Sequence, residues 1–234
     1  MSEFALKLQE NYRGVEARML RACQRAGRAR SEVTLIAVTK YAKLEWIEAL
    51  LELGQRDFGE NRPQQLIVRA AQLGPSARWH LIGHLQSNKA RAVLPSVSWI
   101  HSLDSLKVVE IVDRLAAEQQ LRPQVLLEVN VTGEATKYGF TAAELRDNWN
   151  AIQACRNVEL QGLMTMAAAS ADPEAARPAF GALCALRAEL QARLPEGRRA
   201  LSDLSMGMTG DFEVAIEEGA TLVRIGSALF EGLA

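Results

Sequence analysis

The sequence predicts an α/β protein, a single (β/α)8 TIM barrel spanning 234 residues with one extra helix at its N-terminus. Three observations predict it. From Thr34 onward, short apolar runs alternate with longer stretches of helical periodicity, the sequence form of repeated βα units. Eight such runs can be counted, the number that closes a parallel barrel in a chain of this length. The first run is followed by Lys40-Tyr-Ala-Lys rather than by the glycine-rich turn that an open, doubly wound dinucleotide-binding sheet places there.

Each element has its own signal. Residues 1–27 make the added helix: Phe4, Leu8, Tyr12, Val15, Met19 and Cys23 recur at steps of three and four, an apolar face to pack on the barrel, and Gly27 stops it. Arg21, Arg25, Arg28 and Arg30 read as cations on a solvated helix end rather than as an RNA contact. The runs are Thr34–Thr39, Arg56–Gly59, Trp79–Gly83, Ser98–His101, Gln124–Asn130, Glu159–Met164, Leu201–Ser205 and Thr221–Ile225. Arg56–Gly59 and Leu201–Ser205 rest on their place in the alternation more than on composition. Thr141 with Glu144 forms a capping box, Pro173 or Pro178 marks a helix start, and Phe212–Glu218 ends at Gly219. A last helix, SALFEGLA, is expected to open at Gly226–Ser227. No linker or internal repeat divides the chain, so residues 1–234 read as one domain.

Composition narrows the function. The chain is 48% hydrophobic and 24% charged with a net charge of -1, so nothing draws it globally to nucleic acid or an anionic membrane. Cys23, Cys155 and Cys184 lack CxxC or Cys/His spacing and read as reduced thiols of a cytoplasmic protein. No stretch has the length of a membrane span, and the acid-bearing start MSEFALKLQENY lacks the apolar core of a secretion signal.

In such a barrel the C-terminal strand ends carry the site. Here they supply Lys40, Glu60–Asn61, His84, His101–Ser102, Asn130, Met164–Thr165, Ser205–Met206 and Arg224–Gly226–Ser227. Lys40 follows Leu35-Ile-Ala-Val-Thr, which places its amine at the mouth. Partial desolvation and cations such as Lys43 or Arg224 would favour the neutral amine that attacks an aldehyde, although a lysine snorkelling to solvent fits the same position. Gly226–Ser227 lets backbone N–H groups approach a phosphate, with Ser205 adding a hydroxyl; a plain N-cap is the other reading. Arg224 is either ion-paired with Glu128 or Asp203, or a donor to the pyridine nitrogen of pyridoxal 5′-phosphate (PLP). His80, His84 and His101 lack metal spacing and read as satisfied polar groups near the mouth.

The segments AVTK (37–40), FGEN (58–61), WHLIGHLQSNK (79–89), NVTGEATKYG (130–139), GLMTM (162–166), SMGMTGDFEVAIEEGAT (205–221) and VRIGSALF (223–230) resemble the YggS/PROSC-type pyridoxal phosphate homeostasis proteins over essentially the whole chain. The resemblance implies the barrel of the alanine racemase N-terminal domain and PLP binding without established catalysis. It implies Lys40 as the Schiff-base lysine, Ser205, Gly226 and Ser227 as phosphate ligands, and Arg224 at the pyridine nitrogen. Asn61 and Met206 would line the pocket, and Lys137 is a rim lysine the family also tends to carry. The chain departs from the family pattern at Tyr41-Ala-Lys-Leu44, Arg62–Pro63 and Phe230-Glu-Gly232, which bears on loop shape.

Two enzyme readings compete with PLP holding. A racemase needs a second proton-transfer group. In alanine racemases it is a tyrosine from the partner's C-terminal β-domain, which a chain ending at Ala234 is expected to lack. Tyr12 belongs to the first helix, and Tyr41 and Tyr138 could reach the rim. A sugar-phosphate aldolase using Lys40 is the third reading. PLP is therefore the expected cofactor, PLP-dependent apo-enzymes are possible recipients, and a monomer is expected over a dimer.

Overall fold

A computed structural model describes residues 2–133, 138–197 and 200–233. A 23-residue helix, α1 (Glu3–Arg25), precedes seven βα repeats and an eighth strand. The repeats run β1 (Thr34–Val38), α2 (Leu44–Glu52), β2 (Asp57–Glu60), α3 (Pro63–Leu73), β3 (Arg78–Leu81), α4 (Ser87–Val93), β4 (Trp99–Leu103) and α5 (Leu106–Glu118). They continue with β5 (Gln124–Glu128), α6 (Ala142–Ala154), β6 (Glu159–Met164), α7 (Arg177–Ala192), β7 (Asp203–Ser205), α8 (Phe212–Glu217) and β8 (Leu222–Ile225). The strands are parallel and close in sequence order, β1 pairing with β8 from Thr34↔Leu222 to Ala37↔Ile225. The predicted TIM barrel is thus the observed one, down to its weakest strands.

Alternation along each strand creates two separate cores. Leu35, Ala37, Phe58, Leu81, Ile100, Val125 and Leu127 face outward and join the layer formed with the helices. Ile36, Leu126, Met164 and Leu222 form a second cluster with Trp99 inside the barrel. Gly59 belongs to this interior set, because a Cβ there would stand 3.0 Å from the Ile36 side chain. Fully burying a leucine or isoleucine contributes about 1.5–3 kcal/mol, so both layers bind the strands firmly.

The helix punctuation follows the sequence. Thr141 and Glu144 close the capping box of α6, Pro178 lies in the first turn of α7, and Gly219 after α8 takes φ 101°. The arginines at and after the end of α1 act structurally: Arg25 pairs with Glu217, Arg30 with Glu16, and Arg28 donates to the carbonyls of Ile216 and Ala220 at the end of α8.

The expected last helix is absent. Residues 226–232 form successive turns with one 2.9 Å bond from Leu229 N–H to the Gly226 carbonyl. Tertiary contacts replace the helix: Asn11 of α1 donates to the Leu229 and Glu231 carbonyls, and Gly232 adopts φ 74°.

Candidate functional site

A cleft of about 690 Å³ opens at the C-terminal ends of the strands. Lys40, Asn61, Arg224, Gly226 and Ser227 all line it, joined by the walls Val38, Ile82, Met166, Met208 and Phe230.

Lys40 lies in the turn after β1, closed by Ala42 N–H donating to the Thr39 carbonyl at 2.8 Å. Below this turn, Arg69 of α3 donates to the carbonyls of Thr39 (2.5 Å) and Ala42 (2.7 Å), bracketing Lys40, and pairs with Glu60. Thr39 also donates to Glu60. The expected desolvation of Lys40 is not found: the residue is exposed, with its Nζ 5.1 Å from the ring centre of Tyr41, which is itself 87% exposed. The turn projects the side chain over the cleft instead of into the barrel. Asn61 follows β2, where Gly83 permits close backbone approach: a Cβ at 83 would stand 2.4 Å from the Asn61 carbonyl oxygen.

Arg224 reaches the cleft from inside the barrel and is 4% exposed. Neither expected ion pair forms. Its Nη1 donates to Ser205 Oγ at 2.6 Å and its Nη2 to the Thr165 carbonyl at 2.9 Å. Burial lowers its pKa to about 10, against the opposing pull of Glu128 and Asp211. Glu128, inside the end of β5, is pushed up to about 7 by burial and by Asp104, Arg224 acting the other way.

Two expected site residues lie away from the cleft surface. Ser205 is fully buried, its hydroxyl enclosed between Arg224 and His101 Nδ1, 2.8 Å away. Met206 is buried in the outer core. Strand alternation turns Ser205 inward and so Met206 outward; Gly207 then reverses the chain at φ 90°, and Met208 reaches the cleft. Lys137 lies outside the described residues.

The histidines divide. His84 stays at the rim, 2.8 Å from Asp104 and stacked on Tyr138. His80 and His101 are in the interior, not near the mouth, and are hydrogen-bonded to each other at 3.0 Å. His80 Nε2 meets Asp57 Oδ1 at 3.0 Å, and Asp57 is clasped by Arg78 at 2.8 and 2.5 Å. Glu60, expected at the mouth, is instead buried against Arg69 and Thr39, while Asp57, Arg69 and the two walls Met166 and Met208 were not singled out from sequence. Counting alternate positions inward from each strand start would have found Asp57, since it shares parity with Gly59.

The sequence model of the family described as alanine racemase, N-terminal domain, matches residues 13–233. A pyridoxal phosphate homeostasis protein of Aquifex aeolicus is 41% identical over 214 residues, covering 91% of this chain and 92% of that one. The structure of PipY from Synechococcus elongatus with PLP bound superimposes with a TM-score of 0.80 at 36% identity, covering 91% of this chain and 99% of the other. An alanine racemase of Clostridium difficile shares the fold at 13% identity and TM-score 0.74, this chain spanning 56% of it. The chain belongs to the alanine racemase N-terminal domain family, among relatives named pyridoxal phosphate homeostasis proteins.

Proposed function

We propose that this protein binds PLP in the mouth cleft, with Lys40 as the Schiff-base lysine, and serves PLP homeostasis rather than substrate turnover. The observation that carries this reading is the convergence of Lys40, Asn61, Arg224, Gly226 and Ser227 on one cleft with apolar walls. The donor set suits the ligand: an exposed primary amine for an aldehyde, an open glycine–serine turn for a phosphate, and a guanidinium for a ring nitrogen.

When bound, PLP supplies an electrophilic aldehyde and a ring able to accept electrons. The residues of this chain restrain that chemistry. Arg224 can only donate, so facing the pyridine nitrogen it leaves that atom unprotonated and the ring a weak electron sink. The turn at Gly226–Ser227 would hold the phosphate through backbone N–H groups and the Ser227 hydroxyl, without a helix dipole, since no helix begins there. Val38, Ile82, Met166 and Met208 would supply apolar walls for the bound ring. We take residues 1–234 as one PLP-holding unit, monomeric and cytoplasmic, which passes PLP to apo-enzymes. Among the described residues no helix is long and apolar enough to cross a membrane.

The test is direct. The purified protein should be yellow, borohydride should bleach it, and peptide mapping should place the reduced adduct on Lys40; Lys40→Ala should be colourless. A colourless wild type whose lysine traps a sugar would favour the aldolase reading. Multiple turnover of an amino-acid enantiomer, lost in Lys40→Ala, would establish the racemase reading instead.

A further inference from the structure

A continuous line of polar groups, buried beyond its first member, crosses the barrel from its N-terminal face to the cleft. It runs Arg78, Asp57, His80, His101, Ser205, Arg224, with successive contacts of 2.5–3.0 Å. Arg78 and Asp57 open strands β3 and β2, and the Arg78 side chain is 60% exposed at the far end from the site. His80, His101 and Ser205 are essentially inaccessible. Trp99 stacks on His80 with the rings 10° from parallel, which fixes the imidazole plane.

The proton positions along this line follow from one end. Asp57, held by Arg78, is a carboxylate, so His80 must present Nε2–H to it. Burial holds both imidazoles below the usual histidine range, His101 well below, so each is neutral. A neutral His80 bearing Nε2–H offers Nδ1 as an acceptor. His101 must therefore donate from Nε2 and accept at Nδ1. Among the described residues, the group placed to donate to that Nδ1 is the Ser205 hydroxyl. Ser205 Oγ, its proton committed, can then only accept from Arg224.

We propose that His101, with His80 and Asp57 behind it, is a positioning residue: by accepting a hydrogen bond from the Ser205 hydroxyl it leaves Ser205 Oγ as an acceptor toward Arg224, which fixes the guanidinium and leaves its remaining N–H donors for the cleft. This rests on the PLP reading for the identity of the ligand, and it withdraws Ser205 from direct phosphate binding. Ser205 is the hinge between the buried line and the site.

The deciding experiment has two arms. In the ligand-free protein, long-range 15N NMR of labelled histidines should show His80 and His101 both as neutral Nε2–H tautomers. An Nδ1–H tautomer at His101, or a charged imidazole at neutral pH, would overturn the proposal. In the second arm PLP and inorganic phosphate are titrated into variants. His101→Leu and Ser205→Ala should each weaken PLP binding about tenfold, the loss of roughly one hydrogen bond to a charged group. His101→Gln, with one acceptor and one donor, should recover most of that loss. None of the three should alter the affinity for inorganic phosphate. Weakened phosphate binding in Ser205→Ala alone would restore Ser205 as a phosphate ligand and sink the positioning role. If wild type binds no PLP, the functional reading fails, and the tautomers alone decide the buried line.

Discussion

At the scale of single residues, the position of Lys40 depends less on its own strand than on Arg69, one helix away. Arg69 is 8% exposed and spends its guanidinium on Glu60 and on the carbonyls either side of Lys40. Glu60 is fully buried, and its second oxygen has no partner among the described residues. Burial raises its pKa, with Thr39 and Arg69 pulling the other way. Removing Arg69 leaves that carboxyl uncompensated in the interior and frees both loop carbonyls. Arg69→Ala should therefore destabilise the protein by about 3–5 kcal/mol at neutral pH. In a chain of this size that lowers Tm by roughly 2–4 °C per kcal/mol. The loss should shrink at acidic pH, where Glu60 can take up a proton instead of standing buried and charged. Thermal denaturation at pH 5 and pH 8 checks this; an equal loss at both would show that the ion pair is not what Arg69 contributes. Lys40→Ala, by contrast, removes an exposed side chain and should change stability little while abolishing the borohydride-trapped adduct.

At the scale of elements, most of the architecture was legible in the sequence, because a barrel strand buried on both faces is a short apolar run between helices. Even Arg56–Gly59 and Leu201–Ser205, poor strands by composition, held their places, since closure requires a partner at each edge. Two failures have a shared origin. SALFEGLA has helical composition, yet Asn11 of α1 takes the Leu229 carbonyl that a helix would pair with the Leu233 N–H. The resemblance implied Met206 as a pocket residue, yet alternation sends its side chain to the face opposite Ser205, into the outer core. Local pattern cannot see either a distant side chain or the inward parity of a three-residue strand. The same long-range contacts make α1 part of the barrel. Arg28 donates to the carbonyls of Ile216 and Ala220 at 3.0 and 2.8 Å, closing the C-terminal end of α8 with a cation where the helix dipole favours one. Arg28→Ala should cost about 1.5–3 kcal/mol, given that hydrogen bonds to charged groups lie in that range. Urea denaturation with an unchanged slope is the measurement, and a loss below about 0.5 kcal/mol, the size of a neutral surface change, would refute the capping role.

At the scale of the whole molecule, the interior of this barrel is unusual in holding titratable groups whose pH effects oppose one another. Asp57 is pulled to about 2: burial would raise it, but hydrogen bonds from Arg78 and His80 outweigh burial. Its contribution is present above the ordinary value of 3.8 and disappears as pH falls through about 2. His80 and His101 are depressed below 6.5, so on acidification the unfolded chain takes up protons that the native one refuses, and stability falls below pH 6.5. Glu128 works the other way. Raised to about 7 from 4.5, its native carboxyl keeps a proton that the unfolded chain releases, and stability falls as pH rises between these values. The shift corresponds to about 3 kcal/mol, fully expressed above pH 7 and absent below 4.5. Glu128→Gln should therefore be more stable than wild type by up to about that amount at pH 8 and nearly equal to it at pH 4. Between those limits the variant should show the steeper acid slope, because the histidines then act without opposition. Paired urea titrations from pH 4 to pH 8 would settle it: a constant difference across the range would mean that Glu128 packs at the end of β5 without carrying a displaced proton.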